Sequence, residues 1–266
     1  MLYLTNQVPA KPRKILGQMK AKALRTFRRI TFQKPPGEKA WSLLFDSHIR
    51  PILDQRKPAT LLEIGVLRGD MTLPLLEWCS ENGAHLTSLD PIEWDGELPE
   101  EVKRPRPGYL YKRGQLDSDT PVLVPTALEE VFRRGLDKHW TCLKTRSLEY
   151  FELPEFQGFD LYLIDGDHNH YSVSQELASI HRFTKPGDAV LLNDVVGVWA
   201  RRDLYYDPEL IPNEFKGRSK QGVLTAIQDF LSSVSERQLF WRKNCPYTFR
   251  IMTKDHYGLG LLTRVE

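Results

Sequence analysis

Four short apolar runs, each stopping on a glycine or an acid, constrain this chain more than any other feature. They are Thr60-Leu-Leu-Glu-Ile-Gly65, His85-Leu-Thr-Ser-Leu-Asp90, Leu161-Tyr-Leu-Ile164 followed by Asp-Gly-Asp-His-Asn-His170, and Ala189-Val-Leu-Leu-Asn-Asp194. Runs this short, bounded by turn residues, read as buried strands. Residues 141–145 read as a further strand. Segments of helical spacing lie between them, at 71–82 closed by Gly83 and at 172–183 ended by Lys185-Pro-Gly187. Strands alternating with helices specify a mostly parallel α/β sheet. Ligands bind such a sheet beyond the carboxyl ends of its strands. Glu63, Gly65, Asp90, Ser147, Asp165 to His170, Asn193 and Asp194 all fall at or just past those ends, so they share one rim. Two acids and two histidines crowded together would be costly inside a core. Lining a crevice, they can meet a metal, a substrate or water.

Further along, residues 38–55 look helical with Pro51 as a kink or break, and 220–234 form another helix. Runs at 239–242, 248–252 and 259–263 are candidates to complete the sheet. Residues 91–137, rich in Pro, Gly and charge, read as an irregular insertion or lid with a short helix at 127–134. The aromatic and basic stretch 195–206, with Trp199, Arg201, Arg202, Tyr205 and Tyr206, is a candidate acceptor wall or a plain surface loop.

The chain has 266 residues, of which 41% are hydrophobic and 27% charged, with a net charge of +2. That is enough for one large domain and does not suggest a generic nucleic-acid binder. No apolar run is long enough to span a bilayer. Cys79, Cys142 and Cys245 lie far apart with no zinc spacing and read as reduced, buried thiols, which favours a cytoplasmic chain. Residues 1–37 carry many lysines and arginines and no acid, with Ile15, Met19, Ala23, Phe27 and Ile30 on one helical stripe. This basic extension is a candidate packing or homodimer helix, a membrane-surface or polyanion contact, or a transit peptide.

The segment Glu63-Ile-Gly-Val-Leu-Arg-Gly69 is E-x-G-x-x-x-G. Its glycines let backbone approach a ligand and a helix start tightly. The spacing matches neither the dinucleotide nor the nucleoside triphosphate loop. Asp90, ending the next strand, can accept both hydroxyls of a ribose. No G-x-S-x-G supports a hydrolase.

Glu63 to Gly69, Asp90, Asp165 and Asp194 together resemble the class I S-adenosylmethionine (SAM)-dependent methyltransferases. Residues 164–171 and 185–194 are most similar to the metal-dependent small-molecule and sugar O-methyltransferases of the macrolide-sugar and cephalosporin pathways. The resemblance covers about residues 59–265. It implies a Rossmann-like, doubly wound, mostly parallel seven-stranded sheet with helices on both faces, and a methyltransferase domain at 38–266. It also implies that Gly65 and Gly69 flank the methionine part of the cofactor with Glu63 supporting the loop, that Asp90 holds the ribose, and that Ser147 lies by the adenine. Asp165, Asn193 and Asp194 would hold Mg2+, although Asn193 precedes the second acid where the catechol type has Asn after it. His168 is the first candidate to take the acceptor's proton, with Asp167 and His170 as rivals and Asp165 beside them. The expected activity is methyl transfer to a hydroxyl of a small molecule, sugar or glycan. Two alternatives stand beside it. One is a methyltransferase-like scaffold without activity. The other is a nucleic-acid methyltransferase using the basic N-terminus, which Asn193-Asp-Val-Val196 disfavours because base-methylating enzymes carry Pro-Pro and an aromatic there.

Overall fold

Leu61 and Leu62 are neighbours in sequence and lie in different cores. Alternate side chains of a strand point to opposite faces, and both faces of this sheet are covered. The computed structural model describes residues 38–66, 69–91, 131, 133–204, 212–215, 221–237, 243–255 and 257–265. The basic extension 1–37, nearly all of the 91–137 insertion, Tyr205, Tyr206 and the expected strand at 239–242 lie outside them.

The first helical run is α1 (Glu38–Leu44), a π-helical turn (Phe45–Ile49) and α2 (Arg50–Arg56). Pro51 neither breaks nor ends it. Proline has no N–H to give the preceding turn, and the widened turn just before it absorbs the defect, with the Arg50 N–H reaching Phe45 O. There follow β1 (Thr60–Ile64), α3 (Thr72–Asn82), β2 (His85–Leu89), a 3-10 turn (Leu136–His139), β3 (Trp140–Leu143), α4 (Ser147–Phe151), β4 (Leu161–Ile164), α5 (His170–His181), β5 (Ala189–Leu192) and α6 (Gly222–Val234). A separate two-stranded pair joins β6 (Glu236–Arg237) to β7 (Lys243–Asn244), and β8 (Tyr247–Thr253) and β9 (Leu259–Arg264) end the chain.

The main sheet has seven strands in the order β3-β2-β1-β4-β5-β9-β8. The five strands β1 to β5 pair parallel, and β9 runs antiparallel to both β5 and β8. The order reverses at β1, between β2 and β4, which is the switch point where such sheets bind ligands. Leu61, Leu86, Leu161, Leu163 and Leu191 face α3 and the Glu38–Arg56 run through Phe45, Leu53, Leu75 and Trp78. Leu62, Ile64, Tyr162, Ile164, Val190 and Leu192 face the other side, against Phe151, Val173, Leu177, Val223 and Ile227 of α4, α5 and α6. The sheet is therefore doubly wound. The three thiols are unbridged, and Cys245 is only partly buried, unlike Cys79 and Cys142. Among the described residues no helix is long and apolar enough to cross a membrane.

Under the rim, Glu63 is 1% exposed. Its carboxyl accepts hydrogen bonds from Thr72 Oγ1 at 2.8 and 3.0 Å and from Ser88 Oγ at 2.7 Å, and Trp140 Nε1 donates in turn to Ser88 Oγ at 2.9 Å. One acid thus ties β1, β2, β3 and the first turn of α3. Burial pushes its pKa to about 8, against the hydrogen bonds from Ser88 and Thr72, with Asp165 and Asp90 adding repulsion.

Two outcomes are expected. Folding raises the Glu63 pKa from 4.5 to about 8. Its contribution to stability is therefore greatest below pH 4.5 and declines as pH climbs through about 8, by up to about 1.4 kcal/mol per unit. Urea melts across that window should show a flatter profile for Glu63→Gln than for the parent chain. At Gly65, φ is +93° and an added Cβ would sit 2.3 Å from Asp165 O, whereas at Gly83, φ +68°, it would meet nothing within 4 Å. Gly83→Ala should cost about 1 kcal/mol, and Gly65→Ala at least twice that or the fold itself, read from the same melts.

Candidate functional site

The loop that leaves β1 is held from two sides. The Gly65 N–H donates to Leu89 O at 2.9 Å, carrying the β1–β2 ladder one residue past the strand. The Val66 N–H then donates to Asp90 Oδ2 at 2.9 Å. Gly69, at φ +76°, closes the turn with its N–H on Val66 O at 2.8 Å and accepts from the Leu73 N–H at 3.0 Å as α3 begins. Asp90 is 4% exposed, and its own N–H is held by Leu143 O of β3 at 3.1 Å. Glu63 lies beneath this loop with its carboxyl engaged by hydroxyls, so it supports the loop from inside.

The second half of the rim grows from β4 and β5. The Asp165 N–H donates to Ile64 O at 2.9 Å and the Asn193 N–H to Ile164 O at 3.0 Å, so both residues are fixed by the strand ladders just beyond their ends. Asn193 Nδ2 donates to Asp165 Oδ1 at 2.8 Å. His168 Nδ1 lies 3.0 Å from Asp194 Oδ2. One ligand-type atom from each of Asp165, His168 and Asp194 falls within 4.8 Å of the others. Asp194 sits at φ +58°, a left-handed conformation that is uncommon for a residue with a side chain. It is 3% exposed, and its Oδ1 has no hydrogen-bond partner; Asn193 Oδ1 is likewise buried and unpartnered.

Burial raises the Asp165 pKa, with the positive His168 opposing and Asp194 reinforcing. For His168 burial acts downward, but the charge and hydrogen bond of Asp194, then the charges of Asp165 and Asp167, outweigh it and hold the imidazole at about 9. These attractions favour the protonated ring in the bare protein.

The two halves meet at Gly65, whose missing side chain leaves room for the Asp165 carbonyl and Gly166 Cα. Glu63, Gly65, Gly69, Asp90, Asp165, His168, Asn193 and Asp194 are all brought to the carboxyl ends of adjacent strands.

Three residues sit differently from expectation. Asp167 accepts from Ser172 Oγ at 2.9 Å, and Asn169 Oδ1 accepts from the Ser172 N–H at 2.8 Å, so both build the start of α5 and Asp167 stands outside the cluster of three. The helix begins at His170 rather than at 172, which buries that imidazole against α6 with Nε2 2.8 Å from Asp229 Oδ2. Ser147 Oγ donates to Glu176 Oε1 at 2.6 Å. Glu176 was not anticipated. It is 1% exposed with Oε2 unpartnered, and burial pushes it to about 8 against the Ser147 hydrogen bond, with Asp167 repelling and His168 attracting. Its sequence signal was an acid beside the apolar stripe Val173, Leu177, Ile180 of α5.

The stretch after β5 is pinned to this rim. The Leu204 N–H donates to His168 O at 3.0 Å, and Asp203 Oδ1 accepts from the His170 N–H at 2.8 Å and the Gly222 N–H at 2.9 Å. Arg201 and Arg202 are exposed and Trp199 is half-buried. Tyr171 packs on Phe215 with ring centroids 4.8 Å apart.

A divalent cation calls for hard donors. Asp165 and Asp194 offer carboxylate oxygens, and Asp194 Oδ1 and Asn193 Oδ1 are buried oxygens still wanting a partner. The Asn193 amide N–H is engaged by Asp165, and His168 Nδ1 adds a nitrogen donor to the two acids. For SAM, the cradle at Gly65 and the buried Asp90 carboxylate are the fitting features.

Several solved structures have similar chains. TomG from Streptomyces achromogenes, an O-methyltransferase involved in tomaymycin synthesis and solved with SAM, is 15% identical; 92% of this chain and 89% of that chain are covered, with a TM-score of 0.49. The Bacillus cereus O-methyltransferase solved with S-adenosylhomocysteine is 14% identical over 97% and 92%, with a TM-score of 0.46. The Podospora anserina methyltransferase PaMTH1, also solved with S-adenosylhomocysteine, is 12% identical over 99% and 100%, with a TM-score of 0.48. No curated protein matches the sequence. A family model described as a methyltransferase domain matches residues 62–195. That span is half of the chain and runs from β1 to the residue after Asp194, through every strand end that builds the rim. By that match the chain belongs to the methyltransferase-domain family.

Proposed function

We propose that the chain transfers a methyl group from SAM to a hydroxyl oxygen of a small molecule, sugar or glycan. The observation that carries this reading is the abutment at Gly65, where the Gly65–Asp90 loop meets the Asp165–His168–Asp194 cluster. A cofactor lying along the first half would bring its reactive end toward the second.

The sulfonium carbon is already electrophilic, so the protein's task is to align oxygen, carbon and sulfur and to dispose of one proton. An alcohol is a weak nucleophile until that proton is shared or removed. An amine carries its lone pair ready and needs no such cluster. Two carboxylates and an imidazole beside the cofactor loop are the groups a hydroxyl requires. Asp165, held by Asn193, and Asp194, held by His168, accept hydrogen bonds from the hydroxyl and orient it, and an ionised carboxylate of this pair takes its proton as the oxygen–carbon bond forms and the carbon–sulfur bond breaks. Gly65 lets backbone approach the cofactor, and Asp90 accepts from the ribose hydroxyls. Ser147, already tethered to Glu176, stands at the start of α4, where the adenine is expected. A bound divalent cation would supply Lewis acidity, lowering the pKa of the acceptor hydroxyl.

Calorimetric titration of the full chain with SAM and S-adenosylhomocysteine tests the first half. Binding is expected in the micromolar range, weakened about tenfold or more in Asp90→Ala, equivalent to about 1.4 kcal/mol. No binding by the folded chain would overturn the methyltransferase activity and favour a scaffold. Transfer of labelled methyl from SAM to a panel of sugar, phenolic and aliphatic alcohols, set against amines and nucleic acid, tests the second. Asp194→Ala should lower turnover about 100-fold or more with cofactor affinity within about threefold of the parent. Transfer to amines or nucleic acid in preference to alcohols would sink the O-methyl assignment.

A further inference from the structure

The cluster of Asp165, His168 and Asp194 is not the all-oxygen set that Mg2+ prefers. We propose that His168 is a cation ligand and that the site selects a first-row divalent cation of the iron-to-zinc group over Mg2+. The inference rests on the proposed reaction only for the use made of the cation; the binding itself is read separately.

Three observations carry it. The first is the orientation of Asn193. Its Nδ2 donates to Asp165 Oδ1 at 2.8 Å. That bond holds Asp165 in place, while Asn193 Oδ1 is itself buried and unpartnered. Asn193 is therefore a residue that positions Asp165, and the donor atom that sets this cluster apart from an all-oxygen one is His168 Nδ1.

The second is the spacing of the remaining atoms. His168 Nδ1 and Asp194 Oδ2 are 3.0 Å apart. Two ligands at right angles on a cation with bonds of about 2.1 Å are separated by about 3.0 Å, and at the tetrahedral angle by about 3.4 Å. With one atom of Asp165 also within 4.8 Å of both, the three converge on one place, and the Nδ1 proton that Asp194 accepts in the bare protein leaves when the ion binds. That spacing alone does not distinguish Mg2+ from a transition metal; the donor atom does. Mg2+ takes hard oxygens, keeps several waters and sheds them reluctantly. Imidazole nitrogen suits iron, nickel, copper and zinc, and a mixed nitrogen and oxygen site follows the rising affinity from iron toward copper.

The third is the unpartnered oxygen. Asp194 is 3% exposed and its Oδ1 has no hydrogen-bond partner. A buried carboxylate oxygen left without a donor is costly, and an ion held through both Asp194 oxygens removes that cost. Two carboxylates and a neutral imidazole also carry the charge that a divalent ion balances. In this arrangement the imidazole gives its Nδ1 lone pair to the ion, so it is not the proton acceptor of the reaction.

The test uses the full chain freed of metal by a chelator and titrated in turn with Co2+, Zn2+ and Mg2+. Calorimetry gives affinity and stoichiometry, and the visible absorption of Co2+ reports its ligands without any turnover. Co2+ and Zn2+ are expected to bind one per chain, about 100-fold tighter than Mg2+. His168→Gln should weaken Co2+ about tenfold or more and shift or abolish its visible bands, leaving Mg2+ affinity within about threefold. A melting curve and a SAM titration on the same variant show that fold and cofactor loop persist. Mg2+ binding as tightly as Co2+, or a Co2+ spectrum and affinity unchanged in His168→Gln, would overturn the proposal. Failure of SAM to bind the parent chain would instead count against the methyl-transfer reading and leave the cation result standing.

Discussion

The approach of β1's last turn to the end of β4 sets the rest of the site. Gly65 lies so close to the Asp165 carbonyl that no side chain fits between them. That closeness follows from the sheet order, because β1 and β4 are parallel neighbours in register from Leu61 with Leu161 to Ile64 with Ile164. Chains leaving two adjacent parallel strands at the same level crowd each other unless one residue is glycine. The same crowding brings the Asp90-anchored loop and the acid–imidazole cluster together. The Gly65–Asp90 loop and the acid–imidazole cluster thus share one backbone contact, and neither half can shift far without disturbing the other.

Around that contact the protein buries several acids. Glu63, Asp165 and Glu176 are all pushed toward protonation by burial. Three such buried carboxyls oppose stability at neutral pH, since burial of charge is unfavourable unless it is compensated. Their compensations differ. Glu63 is surrounded by hydroxyls and ties four elements together. Glu176 has one hydroxyl donor and one unpartnered oxygen. Asp165 has an amide on one oxygen and a histidine and an acid nearby.

The α5–α6 side makes a firm wall for the crevice. The His170 imidazole reaches Asp229, and Asp203 takes backbone N–H groups from the starts of both helices. The segment after β5 is thereby pinned to the loop that carries His168. Gly222 completes the joint: an added Cβ would lie 2.3 Å from the Trp199 carbonyl oxygen.

Much of this was legible in the amino-acid sequence because it depends on local pattern. Apolar runs of strand length with polar stops located β1, β2, β4 and β5 to within a residue or two, since burial on both faces leaves no other home for such runs. The clustering of Glu63, Asp90, Asp165 and Asp194 at one rim followed from the parallel order alone. What side chains do once there did not follow, because it depends on distances between residues far apart in sequence. Asp167 and His170 share the Asp-Gly-Asp-His-Asn-His stretch with His168, and the start of α5 two residues earlier than expected diverts them to a bond with Ser172 and a helix–helix contact. Asn193 precedes Asp194 in sequence as a ligand might, yet its amide is claimed by Asp165 across the β4–β5 pairing. Glu176 meets Ser147 only because α4 and α5 lie side by side on the same face. Sequence by itself determined the alternation of strand and helix, hence the sheet and its rim, because periodicity and burial are local properties. Tertiary structure alone decided which acids face one another and which imidazole stands between them, because those choices rest on strand order, register and helix starts that no local pattern encodes.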